Sequence, residues 1–135
     1  MWACDRPLRW LAPLLALLAA SPGLAEPLDA ARFEALTQGR IMGHFVYGDR
    51  YGAERYLPGR KVIWADGEGC MSGRWEPRGA LICFIYTDGL PDRCWLYTQD
   101  AEGMVARFNG DPTEPEVLLR PEPSPLDCPG DAPTA

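Results

Sequence analysis

From residue 41 to residue 120 apolar residues recur in short runs of five to seven, split by clusters of Gly, Pro, Asp and Asn. Runs of that length, β-branched and aromatic in content, are the pattern of strands joined by hairpins. The candidate strands are Ile41 to Tyr47, Tyr51 to Leu57 (the weakest), Lys61 to Ala65, Met71 to Glu76, Ala80 to Tyr86, Arg93 to Gln99, Met104 to Phe108 and Glu116 to Arg120. The intervening turns are Gly48-Asp49-Arg50, Pro58-Gly59, Asp66 to Gly69, Glu76 to Gly79, Thr87 to Asp92, Asp100 to Gly103 and Asn109 to Pro112. Ala80 to Tyr86 (ALICFIY) is apolar without a break, which predicts a central strand buried on both faces. Only one segment has a helical period: Asp29 is placed to cap, Leu28, Phe33 and Leu36 fall near one face, and Gly39 ends it. The fold class that follows is mainly β, an antiparallel up-and-down meander of about seven or eight short strands with one helix near 29–38. It is expected to close into a small barrel or a strongly curled sheet.

Ahead of this lies a stretch of another kind. Arg6 and Arg9 precede the apolar WLAPLLALLAA of residues 10–20, and Gly23-Leu24-Ala25 follows with small residues. An apolar run this short with that charge and that exit reads as a secretory signal peptide, residues 1–25, cut after Ala25. The remaining chain divides into one β-rich domain, 26–128, and a flexible C-terminal tail, 129–135. The expected location is the periplasm or the medium, with no stable membrane insertion after cleavage.

Cysteine parity supports this reading. Of five cysteines, Cys4 leaves with the leader, and the even set Cys70, Cys83, Cys94 and Cys128 remains. An even set in an exported domain implies disulfides. Four cysteines allow three connectivities. A symmetric hairpin about Thr87 to Asp92 sets Cys83 opposite Cys94, which leaves Cys70 to pair with Cys128 and tie the Pro-rich tail back onto the sheet.

Composition narrows the function classes. The 135 residues carry 13 Lys+Arg against 19 Asp+Glu, a net charge of -6 that becomes -7 without the leader. Such a surface repels phosphate backbones, so no nucleic-acid partner is expected. The single histidine, His44, excludes histidine triads and multi-histidine metal sites. Met42 and His44 share a strand face, a soft-metal pair at most, and no metal or other cofactor is expected. Ser72 and Ser124 are the only serines after the leader, and neither stands in a Gly-x-Ser-x-Gly turn. The cysteine spacings of 13, 11 and 34 hold no Cys-x-x-Cys pattern. Without a catalytic constellation the chain is read as a non-enzyme.

The aromatics say more. Tyr47, Tyr51, Tyr56, Trp64, Trp75, Phe84, Tyr86, Trp95 and Tyr97 fall on successive strands, where they fill a core and line the mouth of a barrel. The segment Tyr47 to Arg60 (YGDRYGAERYLPGR) mixes Tyr with Arg, the residue types of interface hot spots. Tyr47, Arg50, Tyr51, Glu54, Arg55, Tyr56 and Arg60 are therefore the candidate binding residues.

Tyr51-Gly52-Ala53-Glu54, Cys70-Met71-Ser72-Gly73-Arg74-Trp75, Cys83-Phe84-Ile85-Tyr86 and Cys94-Trp95 resemble the motifs of a family of small exported proteins of Gram-negative bacteria of uncharacterised function. That resemblance implies export and no particular activity. Gly73-Arg74-Trp75 is also similar to the Gly-x-Trp of lipocalins, there on the first strand and here mid-chain; it implies a lipocalin-like small barrel.

Three functions follow in order. The first is a binding module that recognises a protein or cell-envelope component, inhibitors of lytic enzymes included. The second is a carrier of a small hydrophobic ligand in a barrel cavity. The third is a small hydrolase or metal-binding protein using His44 with carboxylates.

Overall fold

The computed structural model describes residues 19–21 and 23–129. Most of the expected signal peptide and nearly all of the expected flexible tail lie outside the described residues. Eight antiparallel strands follow one helix in simple order: α1 (Ala30–Thr37), β1 (Ile41–Val46), β2 (Asp49–Leu57), β3 (Lys61–Asp66), β4 (Gly69–Arg78), β5 (Leu81–Tyr86), β6 (Arg93–Gln99), β7 (Met104–Phe108) and β8 (Val117–Glu122). Each strand pairs with its sequence neighbour, and β1 also pairs with β8, from Ile41 opposite Glu122 to Val46 opposite Val117. The sheet is thus a closed up-and-down barrel without a free edge.

Two turns are tighter than the sequence reading placed them. Tyr47 and Gly48 take φ of 51° and 86°, the positive pair of a type I′ turn, so Asp49 and Arg50 already belong to β2. Likewise β4 runs on through Pro77 and Arg78, and the reversal is made at Gly79 and Ala80. The expected double burial of the ALICFIY strand holds only at its centre. Ile82, Cys83 and Phe84 are buried, and Leu81, Ile85 and Tyr86 are half-buried, because every strand of a closed barrel keeps one face outward.

The helix is the stopper of one barrel end. Asp29 caps it, its carboxylate accepting from the Arg32 amide at 2.8 Å. Chain entering and leaving the helix is hydrogen-bonded to the barrel, from Leu28 N–H to the Tyr97 carbonyl and from Gly39 N–H to the Tyr56 carbonyl, both at 2.8 Å. From this platform Phe33 drops into the barrel and is fully buried. Its ring meets Tyr97 at 4.7 Å, Trp75 at 5.0 Å, Tyr56 at 5.8 Å and Phe84 at 6.3 Å. The densest part of the core therefore lies under the helix, and among the described residues the opposite end has no such plug.

Both disulfides join the expected partners. Cys83 and Cys94 are directly opposite on β5 and β6, Cα atoms 3.9 Å apart. Cys70 is bonded to Cys128, Cα atoms 5.9 Å apart. The second bond ends a strap across the outside of the barrel. The registers align Gly43, Ala53, Ala65 and Cys70 in one transverse row over β1 to β4. At one end of the row the Glu122 carboxylate overlies Gly43, where a Cβ would collide with it. Beyond Glu122 the chain reaches Cys128 at the other end. Ala53 in the row is fully buried, and so nearly is Leu126 in the strap, so small side chains in the sheet admit the crossing chain. An oxidising, exported setting suits two such bonds, and no helix among the described residues is long and apolar enough to cross a membrane.

Candidate functional site

The barrel end opposite α1 opens into a cavity of about 580 Å³. Period-two alternation decides what faces it. On β2, Glu54 and Tyr56 point inward and Arg55 outward; on β3, Val62 and Trp64 point inward. Phe84 and Tyr97 form its deep end, with Phe33 packed behind them. The rim carries Asp66, Glu68, Gly69 and Leu90, all exposed.

One wall is a group of three rings. Trp64 meets His44 edge to face at 5.0 Å and Tyr51 at 5.6 Å, and His44 meets Tyr51 at 6.1 Å. Gly52 makes this possible, because a Cβ there would run into the Trp64 ring. Tyr51 is presented by a bulge, the register slipping between His44 and Phe45. Trp64 is fixed at its polar end, where the indole N–H donates to Asp66 Oδ2 at 3.0 Å. The same Asp66 also accepts from the Glu68 amide, and these bonds hold its carboxyl below the ordinary value.

Beside this ring group stands Glu54, the cross-strand partner of Trp64 and only 2% exposed. The Tyr86 hydroxyl donates to its carboxyl, at 2.8 Å to one oxygen and 2.9 Å to the other. Burial pushes the Glu54 carboxyl up to about 8, against the opposing pull of the Tyr86 hydrogen bond and the Arg93 charge. Gly73 provides the space for the Tyr86 ring, since a Cβ at that position would meet it. Tyr86 stacks on Phe84 and carries the Arg93 guanidinium 5.2 Å over its face. Arg93 is in turn paired with Asp88 at 2.7 Å.

His44 is buried and uncharged. Its Nδ1 lies 3.0 Å from the Met42 carbonyl, which assigns the proton to Nδ1 and leaves Nε2 as an acceptor. Burial lowers its pKa to about 4. The Tyr56 hydroxyl, below Glu54 on the same strand face, has no hydrogen-bond partner among the described residues. No cluster of three or more His, Cys, Asp or Glu among the described residues is arranged to hold a metal ion.

The seven candidate binding residues do not form one surface. Tyr51 and Glu54 line the cavity, and Tyr56 is in the core beneath. Tyr47 stands at the hairpin tip, 87% exposed. Arg50 is held on the outside by a two-point ion pair with Glu122, at 2.7 and 2.9 Å. Arg55 lies on the outer face opposite Ile41 and Ile63. Arg60 is at the plugged end, its guanidinium 4.7 Å over Trp75 and 3.8 Å from Glu34. Of the cavity's polar groups, Asp88 stood in an expected turn and Arg93 at the head of an expected strand, and neither was among the candidate site residues.

Comparison of the chain with family models, with curated proteins and with solved structures finds no match.

Proposed function

We propose that this protein is a small-molecule binding cup that works outside the cytoplasm, in the periplasm or the medium, after loss of residues 1–25. The observation that carries the reading is the 580 Å³ cavity, stoppered at one end and walled by aromatic rings. Pockets that bury most of a small organic molecule span roughly 300–1,000 Å³ and combine apolar walls with a few placed polar groups. Here those groups are Glu54, Tyr86 and His44.

Titration with the neutral fluorophore N-phenyl-1-naphthylamine tests it. Saturable binding at one dye per chain, with quenching of tryptophan fluorescence and loss in a Leu90→Arg/Trp64→Ala variant that remains folded, is expected. Absence of saturable binding at micromolar dye would end the reading.

A second reading, recognition of a protein or envelope partner, is favoured by Tyr47, a large aromatic almost fully exposed on a two-residue turn. Tyr47→Ser would then abolish capture of the partner and leave dye binding unchanged.

A further inference from the structure

We propose, on the cup reading above, that its ligand is an organic cation, with an ammonium group seated between the Glu54 carboxylate and the faces of Tyr51 and Trp64. Glu54 and Trp64 are direct cross-strand partners with both side chains inward, so the carboxylate and the indole meet the same part of the cavity. Tyr51 completes that corner, 5.6 Å from Trp64. A carboxylate beside two electron-rich rings is the chemistry that holds an alkylammonium head.

The charges around the cavity agree. Among the described residues Glu54, Asp66, Glu68 and Asp88 line it, against Arg93 alone. Arg93 is already engaged by Asp88 and by the Tyr86 ring. His44 on β1 is neutral, and Tyr56, Tyr86 and Tyr97 add no positive charge. An anion entering here would meet the acidic groups of the rim, which attract a cation, and at depth the Glu54 carboxyl becomes the cation's counter-ion once it gives up its proton. The apolar remainder of the ligand then lies against Phe84, Tyr97 and Trp95.

Seating the cation changes the protonation of Glu54. Burial keeps this carboxyl protonated up to about pH 8, so at neutral pH the arriving ammonium expels one proton from the carboxyl to solvent. Affinity for a permanent cation therefore climbs with pH up to about 8 and levels off above it. A neutral ligand of the same shape shows no such climb.

The decisive pair of probes is benzyltrimethylammonium and its uncharged isostere neopentylbenzene, each competed against bound N-phenyl-1-naphthylamine. At pH 8.5 the cation is expected to displace the dye at a concentration at least about tenfold lower than the isostere. At pH 7 its affinity should be about eightfold weaker than at pH 8.5, from the loss of the ionised carboxylate, and the isostere should not change. Glu54→Gln should remove both the cation's advantage over the isostere and the pH dependence. Wild-type protein alone also decides the matter through its pH profile, whatever the variant does. Dye displacement by the isostere as readily as by the cation, or a flat cation profile, overturns the inference and leaves the cup intact. Failure of the dye itself to bind overturns both.

Discussion

Phe33 and Trp75 meet edge to face with ring centroids 5.0 Å apart, one from the helix and one from the barrel wall. This contact fixes which end of the barrel is core and which is cavity. Phe33→Ala would remove four ring contacts at once from a site with no room to collapse, since the barrel wall is hydrogen-bonded all round. A loss of about 3–5 kcal/mol is expected. Chemical denaturation with unchanged m-value checks it; a loss under about 1 kcal/mol would mean that the helix is not the stopper.

Glu54 and His44 set the pH profile of stability. From pH 4.5 to 8 the unfolded chain has released the Glu54 proton and the folded chain retains it, so rising pH costs about 1.4 kcal/mol per unit. From pH 4 to 6.5 the unfolded chain holds a proton on His44 that the folded chain has shed, so rising pH adds stability with a similar slope. The two slopes offset below pH 6.5, and only the Glu54 loss continues above it. Stability is expected to be level from about pH 5 to 6.5 and to fall towards pH 8. Glu54→Gln should flatten the fall; equilibrium unfolding across this range gives the answer, and a wild-type plateau extending to pH 8 would contradict a buried carboxyl.

The two disulfides should differ in worth. The chain-entropy relation gives about 4 kcal/mol for Cys70–Cys128, which closes 58 residues, and about 3 kcal/mol for Cys83–Cys94, which closes 11. The Cys70→Ser/Cys128→Ser variant should also free the strap, so that limited proteolysis cuts after residue 122 while the barrel survives. Equal protease resistance of wild type and variant would show that Leu126 and the small-residue row hold the strap by packing alone.

Gly52 is the space in which the Trp64 indole lies. Gly52→Ala should displace that ring, cost about 1–3 kcal/mol as overpacking and weaken dye binding at least about tenfold. Near-ultraviolet circular dichroism reports the ring directly. An unaltered spectrum with full binding would separate Trp64 from the site.

How much of this was legible in the chain varies with the range of the interaction. All eight strands were, because each is bounded by turn residues whose backbone preferences act locally. The Cys83–Cys94 pair was legible from the symmetry of one hairpin. Closure was only one of two expected outcomes, since the β1–β8 pairing joins residues about 76 positions apart and no local signal encodes it. The cavity was legible only in part. Tyr51 and Glu54 belonged to the Tyr/Arg segment, yet strict alternation sends Glu54 and Tyr56 inward and Arg55 outward, which divides a segment that reads as one patch. Trp64 stood among the aromatics, but the ring group it forms depends on the β1–β2 bulge and on Gly52. Asp88 looked like an ordinary turn charge and Arg93 like the polar end of a strand, and only the curl of the barrel turns them over the cavity.

The strap has a practical corollary for anyone who labels this molecule. Cys128 is anchored to Cys70, a residue of the cavity lining, whereas Leu28 enters at the stoppered pole. A fluorophore attached at Pro129, the neighbour of Cys128, therefore stands beside the entrance and reports occupancy, and the same fluorophore attached at Pro27 sits at the far pole as a silent internal reference.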